Sequence, residues 1–280
     1  MERSFKGHNG LNIMGEVYSN SEAHDCVLFA HGGGQTRYAW RESAKVIHEM
    51  GYTTCTVDLR GHGDSDWDSK GDYSMEAFAQ DLILVSQEMP TKPIVVGASL
   101  GGIASMIAAG EIDPDCFKAL VLVDITPTMD MNGVEKIISF MGAHLKDGFA
   151  SLEEAAEVIA AYMPHRKAPK NLDGLKKNLR RDESGRYRWH WDPLFIEGTM
   201  RPSASRDPIR LVQGVKNISV PIALIRGRMS ELVTEEAVLE FKKLVPTARY
   251  FDVSGAGHMV AGDSNDVFND ALVEYLQWLK

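Results

Sequence analysis

Short apolar runs that end on glycine or aspartate, separated by stretches of helical spacing, constrain this chain most. Cys26–Ala30 is wholly apolar and leads into His31-Gly32-Gly33-Gly34. Residues 52–57 are β-rich and end at Asp58, Pro93-Ile94-Val95-Val96 runs into Gly97, and Ala119–Val123 ends at Asp124. Between them, apolar spacing predicts helices over residues 38–50, 74–89 and 100–109. Residues 11–18 read as a further strand. Ser74 is the expected N-cap of its helix; Ala77 stands three residues on, so no capping box forms. Apolar strands alternating with helices imply a parallel sheet covered on both faces.

The rhythm breaks after Asp124. From 127 to 213 no short apolar strand run is present; helical patterns cover residues 134–145, Leu152–Tyr162 and 172–179, and residues 180–191 are charged and aromatic. Alternation resumes with residues 221–225, a helix over Glu235–Leu244, a strand over 248–253 and a final helix over 265–279. The expected organisation is therefore a core domain in two parts, 1–126 and 214–280, with a helical insertion at 127–213.

Chemistry enters where strands meet loops. Gly97-Ala98-Ser99-Leu100-Gly101 sets a serine on a glycine-flanked strand-to-helix turn, the layout of a nucleophile elbow. Such a match is weak alone, so the rest of the chain must supply a base, an acid and oxyanion donors. His258, in Ser254-Gly255-Ala256-Gly257-His258-Met259 after the last strand, is the expected base. Glu231 follows the strand ending at Ile225 and lies between Ser99 and His258, as the order serine, acid, histidine requires; it is the expected acid, with Asp124 its rival. The N–H groups of Leu100 and Gly33 are the expected oxyanion donors, with Gly34 the neighbouring possibility. His31 is expected to anchor its own loop, and His62, in the ordered loop from Asp58 to Ser65, is not expected to act as base.

These residues resemble the α/β-hydrolase superfamily, in its capped serine-hydrolase branch of esterases, lactonases and haloperoxidase-like enzymes. The motifs that carry the resemblance are His31-Gly32-Gly33-Gly34, the stretch from Asp58 to Ser65, the stretch from Gly97 to Gly102, and Gly257-His258. The resemblance implies an eight-stranded, mostly parallel sheet flanked by helices, a helical cap between strands six and seven, no cofactor, and a triad of Ser99, His258 and an acid. The family acid is more often Asp, which keeps Asp124 beside Glu231. Epoxide hydrolases and haloalkane dehalogenases of this branch use an Asp nucleophile where this chain has Ser99. Hormone-sensitive-lipase-like esterases share the HGGG motif but usually carry a GDSAGG elbow.

The expected activity is hydrolysis of a carboxylic ester or lactone through an acyl-enzyme. A C–C bond hydrolase or a cofactor-free perhydrolase would use the same triad, and a small-molecule receptor could keep the fold without the chemistry. Gly34 of the glycine loop and, in the cap, Trp189, His190 and Trp191 are expected to contact substrate, with Phe140, Met141, Tyr162 and Met163 adding apolar lining. Lys176, Lys177, Arg180 and Arg181 read as a solvated helix face that could also steer an anion.

A formal charge of −9 without a basic block argues against a nucleic-acid partner. No stretch approaches the ~20 apolar residues of a membrane span, and the N-terminus lacks a signal-peptide core, so the expected location is cytoplasmic. Cys26, Cys55 and Cys116 read as buried free thiols, and no cysteine and histidine spacing suggests a metal site.

Overall fold

The apolar runs pair side by side, as their pattern requires. A computed structural model describes residues 1–162, 172–199, 207–258, 260 and 265–280. It contains β1 (Glu2–Lys6), β2 (Asn12–Tyr18), β3 (Cys26–Ala30), β4 (Thr53–Val57), β5 (Pro93–Ala98), β6 (Ala119–Val123), β7 (Leu179–Arg181), β8 (Tyr187–Trp189), β9 (Ile222–Gly227) and β10 (Arg249–Val253). The helices are α1 (Arg41–Glu49), α2 (Met75–Gln87), α3 (Leu100–Ile107), α4 (Met131–Gly142), α5 (Leu152–Tyr162), α6 (Pro193–Thr199), α7 (Pro208–Asn217), α8 (Glu235–Leu244) and α9 (Asn265–Trp278).

One eight-stranded sheet runs β1-β2-β4-β3-β5-β6-β9-β10. It is parallel except where β2 pairs with β1 and β4. This is the eight-stranded, mostly parallel sheet that the motifs implied. Side chains alternate between its faces. Val27 and Phe29 pack with Ala44 and Ile47 of α1 and with Phe268, Leu272 and Leu276 of α9. Leu28 and Ala30 face Phe78 and Leu82 of α2, Ile103 and Ile107 of α3, and Leu211 and Val215 of α7. Ser74 caps α2 as expected, its hydroxyl accepting from the Ala77 N–H at 3.3 Å. Among the described residues no helix is long and apolar enough to cross a membrane.

The connectivity places the site. After β3 the chain moves outward to β4, then crosses back to lay β5 on the other side of β3. The loops leaving β3 and β5 therefore part in opposite directions and open a crevice at the carboxyl edge, the usual ligand position in such sheets. Gly32 to Gly34 and Ser99 sit on those two loops.

Several details differ from the sequence expectations. The segment between β6 and β9 contains a β-hairpin, β7–β8, where only helices were anticipated. Its strands are Leu-Arg-Arg and Tyr-Arg-Trp, too polar to show as an apolar run. The turn between them is set by Asp182, whose carbonyl accepts the Gly185 N–H at 2.9 Å while its carboxylate accepts the Ser184 hydroxyl and the Arg186 N–H. The helix expected over 172–179 is a 3₁₀ turn, Leu172–Lys177, that stops before Leu179 enters the hairpin. The boundary expected at 213 falls inside α7, which packs on α3 and on the helical turn Ala108–Ile112 that continues it, so closely that a Cβ at Gly110 would lie 2.2 Å from the Gly214 carbonyl oxygen. Strand β1 escaped notice because Glu-Arg-Ser-Phe-Lys buries only Phe5.

Candidate active site

Ser99 occupies the turn between β5 and α3 with φ 44° and ψ −108°, a backbone region that non-glycine residues rarely adopt. The strain is held by packing. A Cβ at Gly101 would lie 2.5 Å from the Ala30 carbonyl oxygen, so only glycine lets α3 press this closely on β3. The Ser99 N–H donates to the Val123 carbonyl at 3.2 Å and the Gly101 N–H to the His31 carbonyl at 3.2 Å. The hydroxyl caps no helix N–H.

His258 follows β10, and its Nδ1 lies 2.7 Å from Oδ2 of Asp124. Asp124 is fully buried at the end of β6, with φ 48°. Its Oδ1 accepts the Gly227 N–H at 3.0 Å and its Oδ2 accepts the Ser230 hydroxyl at 2.5 Å. Ser230 in turn accepts the N–H groups of Leu232 and Val233, each at 3.1 Å. Glu231, the residue preferred from sequence, points the other way. Its side chain is 67% exposed and pairs with Lys136 Nζ at 2.6 Å. The carboxylate beside His258 thus comes from the end of β6, and the loop that carries Glu231 serves it through Ser230.

The glycine loop after β3 is held peptide by peptide. The Gly32 N–H donates to Gln35 Oε1 at 2.8 Å, and the Gly34 N–H to His62 Nε2 at 3.1 Å. Among the described residues, the N–H groups of Gly33 and Leu100 have no partner. Gly34 has φ 74°, which suits glycine. His31 is buried between the Leu59 N–H, which it accepts at Nε2 (3.0 Å), and the Gly32 carbonyl, to which Nδ1 donates (2.8 Å). The loop from Asp58 to Ser65 is equally fixed. Asp58 accepts the N–H groups of Arg37 at 2.6 Å and Asp64 at 3.0 Å and pairs with the Arg37 guanidinium, and Arg60 grips Asp81 through two bonds of 2.6 and 2.8 Å.

A cavity of about 500 Å³ joins these groups. Ser99, Leu100, Gly32, Gly33, Gly34 and His258 line it from the core. Met141, Phe140, Tyr162, Trp189 and Trp191 line it from the inserted segment, together with Ile137, Ile138 and Ile159. Phe140 stacks on Tyr162 with centroids 4.0 Å apart, and Trp189 on Trp191 at 4.5 Å. Met163 lies outside the described residues. His190 does not line the cavity. It is buried behind Gly34, where Nδ1 accepts the Gly63 N–H at 2.8 Å and Nε2 faces the Gly34 carbonyl at 3.2 Å. Of the four basic residues expected on a solvated helix, Lys177 reaches the cavity and lies over the Tyr38 ring, while Arg180 bonds the Gly63 carbonyl.

Sequence reading missed two contributions. Ser230 holds the carboxylate, and its only signal was its place beside Glu231. His62 pins Gly34, which its position in a glycine-rich loop could have suggested.

The three histidines carry a consequence for stability. Burial holds His31, His62 and His190 at about 3, far below the ordinary value of 6.5, and their mutual proximity adds to the shift for all three. Above pH 6.5 both folded and unfolded chains keep them neutral, so stability is full. Below it the unfolded chain takes up protons that the fold refuses, costing about 1.4 kcal/mol per histidine per pH unit. Asp58 and Asp81, raised by burial, act in the opposite sense only nearer the carboxylate range. Urea titrations between pH 6.5 and 5 are therefore expected to show a steep loss of stability. A flat profile over that window would contradict neutral, buried imidazoles.

The sequence pattern of the family described as "Alpha/beta hydrolase family" matches residues 27–271. An esterase of Mycobacterium tuberculosis is 32% identical over 243 residues, which span 85% of this chain and 78% of that protein. The 2-(acetamidomethylene)succinate hydrolase of Mesorhizobium japonicum is 28% identical over 89% of this chain and 87% of its own length. Among solved structures, an E-2-(acetamidomethylene)succinate hydrolase superposes with a TM-score of 0.82 at 23% identity, covering 99% of each chain, a likeness of fold alone. The M. tuberculosis esterase superposes at 0.77 with 27% identity, over 99% of this chain and 92% of that one. Sheet order, the strained serine turn and the matched sequence pattern agree: the chain belongs to the alpha/beta hydrolase family.

Proposed function

We propose that this hydrolase cleaves carboxylic esters whose acyl group is apolar, with Ser99 as nucleophile, His258 as base and Asp124 as acid. The observation that carries this reading is the bond between His258 Nδ1 and Asp124, on a histidine that shares the cavity with Ser99. With Nδ1–H donated to the carboxylate, Nε2 is left to take the Ser99 proton as Oγ attacks the ester carbonyl. The oxyanion is met by the N–H groups of Gly33 and Leu100. Collapse breaks the ester C–O bond, and His258 returns its proton to the leaving alkoxide. Water, deprotonated by the same imidazole, then attacks the acyl-enzyme, releasing the acid and restoring Ser99.

The lining supports the acyl preference. Around Ser99 it is aliphatic and aromatic, and Lys177 is the one lysine or arginine among the described lining residues. Helices α4, α5 and α6 and the β7–β8 hairpin line the cavity that holds Ser99 and serve as the cap. The M. tuberculosis relative is named as an esterase, which supports ester chemistry. Three buried free cysteines suit a reducing compartment such as the cytoplasm.

A panel of p-nitrophenyl esters tests the reading. The hexanoate is expected to exceed the hemisuccinate in kcat/KM by about 30-fold or more, because an apolar cavity strips a carboxylate of its hydration. Equal or faster turnover of the hemisuccinate would overturn the acyl assignment.

A further inference from the structure

Three successive glycines can rotate their peptide planes at little cost, yet the proposed oxyanion donor Gly33 must aim its N–H at one point. Each plane in this loop is pinned by a different imidazole. His31 Nδ1 donates to the Gly32 carbonyl at 2.8 Å and fixes the plane that carries the Gly33 N–H. His62 Nε2 accepts the Gly34 N–H at 3.1 Å and fixes the next plane. The third, beyond Gly34, has its carbonyl 3.2 Å from His190 Nε2. His190 Nδ1 accepts the Gly63 N–H at 2.8 Å, so the ring proton lies on Nε2 and points at Gly34. His62 is fixed in turn by the Arg60 carbonyl at 2.9 Å.

His31 and His62 belong to the core, but His190 stands between β8 and α6, in the inserted segment. It does not itself line the cavity; it meets two residues that do, bonding Gly34 and packing edge-on against Trp191 at 5.2 Å. We propose that His190 is a positioning residue that fixes Gly34, and through it Gly33, for oxyanion binding. The hole is then complete only when the inserted segment is seated on the core. This inference rests on the serine-hydrolase reading above.

The two ring nitrogens can be tested apart. His190→Gln keeps an N–H donor near the Nε2 position, facing Gly34. His190→Asn keeps an acceptor near the Nδ1 position, facing Gly63. His190→Gln is expected to hold kcat within about 3-fold of the parent, and His190→Asn to lower it by about 10- to 100-fold, with KM changed by less than about 3-fold in both. Affinity for an alkyl trifluoromethyl ketone, whose adduct needs the oxyanion hole, should follow the same ranking. A purely structural role at Gly63 predicts the reverse, and any ranking other than glutamine above asparagine in both readouts overturns the proposal. If neither variant folds, ¹⁵N spectra of the unmodified enzyme at pH 7 decide: a neutral ring protonated at Nε2 supports it, and a cationic ring or an Nδ1–H tautomer overturns it. Ester turnover that survives Ser99→Ala would instead sink the underlying reading. Turnover that needs Ser99 but ignores His190 sinks only this one.

Discussion

Ser99→Ala is expected to lower kcat on p-nitrophenyl hexanoate by about 10⁶-fold while leaving the fold intact. The hydroxyl caps no helix N–H, so its loss removes no bond that holds the elbow. Ser99 and Ala share a Cβ, so the strained φ of 44° and the seat of α3 against β3 stay the same. What disappears is the atom that forms the acyl bond. Residual turnover should reflect only the oxyanion donors and binding, which leave about 10³- to 10⁴-fold over water in comparable triads. Steady-state kinetics with a thermal melt as control measures this. Retention of activity within about 10-fold in a folded variant would mean that another group carries the reaction.

Asp124→Asn is expected to cost about 10⁴-fold in kcat, whereas Glu231→Gln should change it by less than about 2-fold. The Asp124 carboxylate accepts from His258, Ser230 and the Gly227 N–H in a fully buried setting. An amide there turns an N–H₂ toward the histidine or the serine hydroxyl and stabilises the wrong imidazole tautomer. It also removes the negative charge that steadies the imidazolium in the transition state. Glu231 is 67% exposed and paired with Lys136, an arrangement worth little at the surface. Parallel kcat measurements on the two variants decide the assignment, and the reverse ranking would return the acid role to Glu231.

The contrast between these carboxylates marks where sequence reading reached its limit. Strand-to-loop punctuation placed Ser99, His258 and the Gly32–Gly34 loop at one sheet edge, because each lies where an apolar run meets glycine. The acid was ambiguous because both candidates also follow strands, and chain order admits either. Only the fold shows that β6 and β9 are neighbours, so a residue at the end of β6 and a loop after β9 converge on His258. The β7–β8 hairpin was hidden for a different reason. Its strands are charged and bury only the facing pair Leu179 and Trp189, and the Asp182 turn and a bridge between Phe149 and Tyr187 complete the pairing. His190 looked like a cavity residue because it stands between two tryptophans that do line the cavity. At strand's end the alternating side chains turn it toward Gly34 and Gly63 instead.

Reaction of the folded protein with an alkyl fluorophosphonate, followed by peptide mass spectrometry, identifies the nucleophile itself. One phosphonyl group per chain is expected, on Ser99, with no labelling of Ser99→Ala. A folded protein that turns over esters but stays unlabelled, or that carries the adduct on another residue, would contradict it.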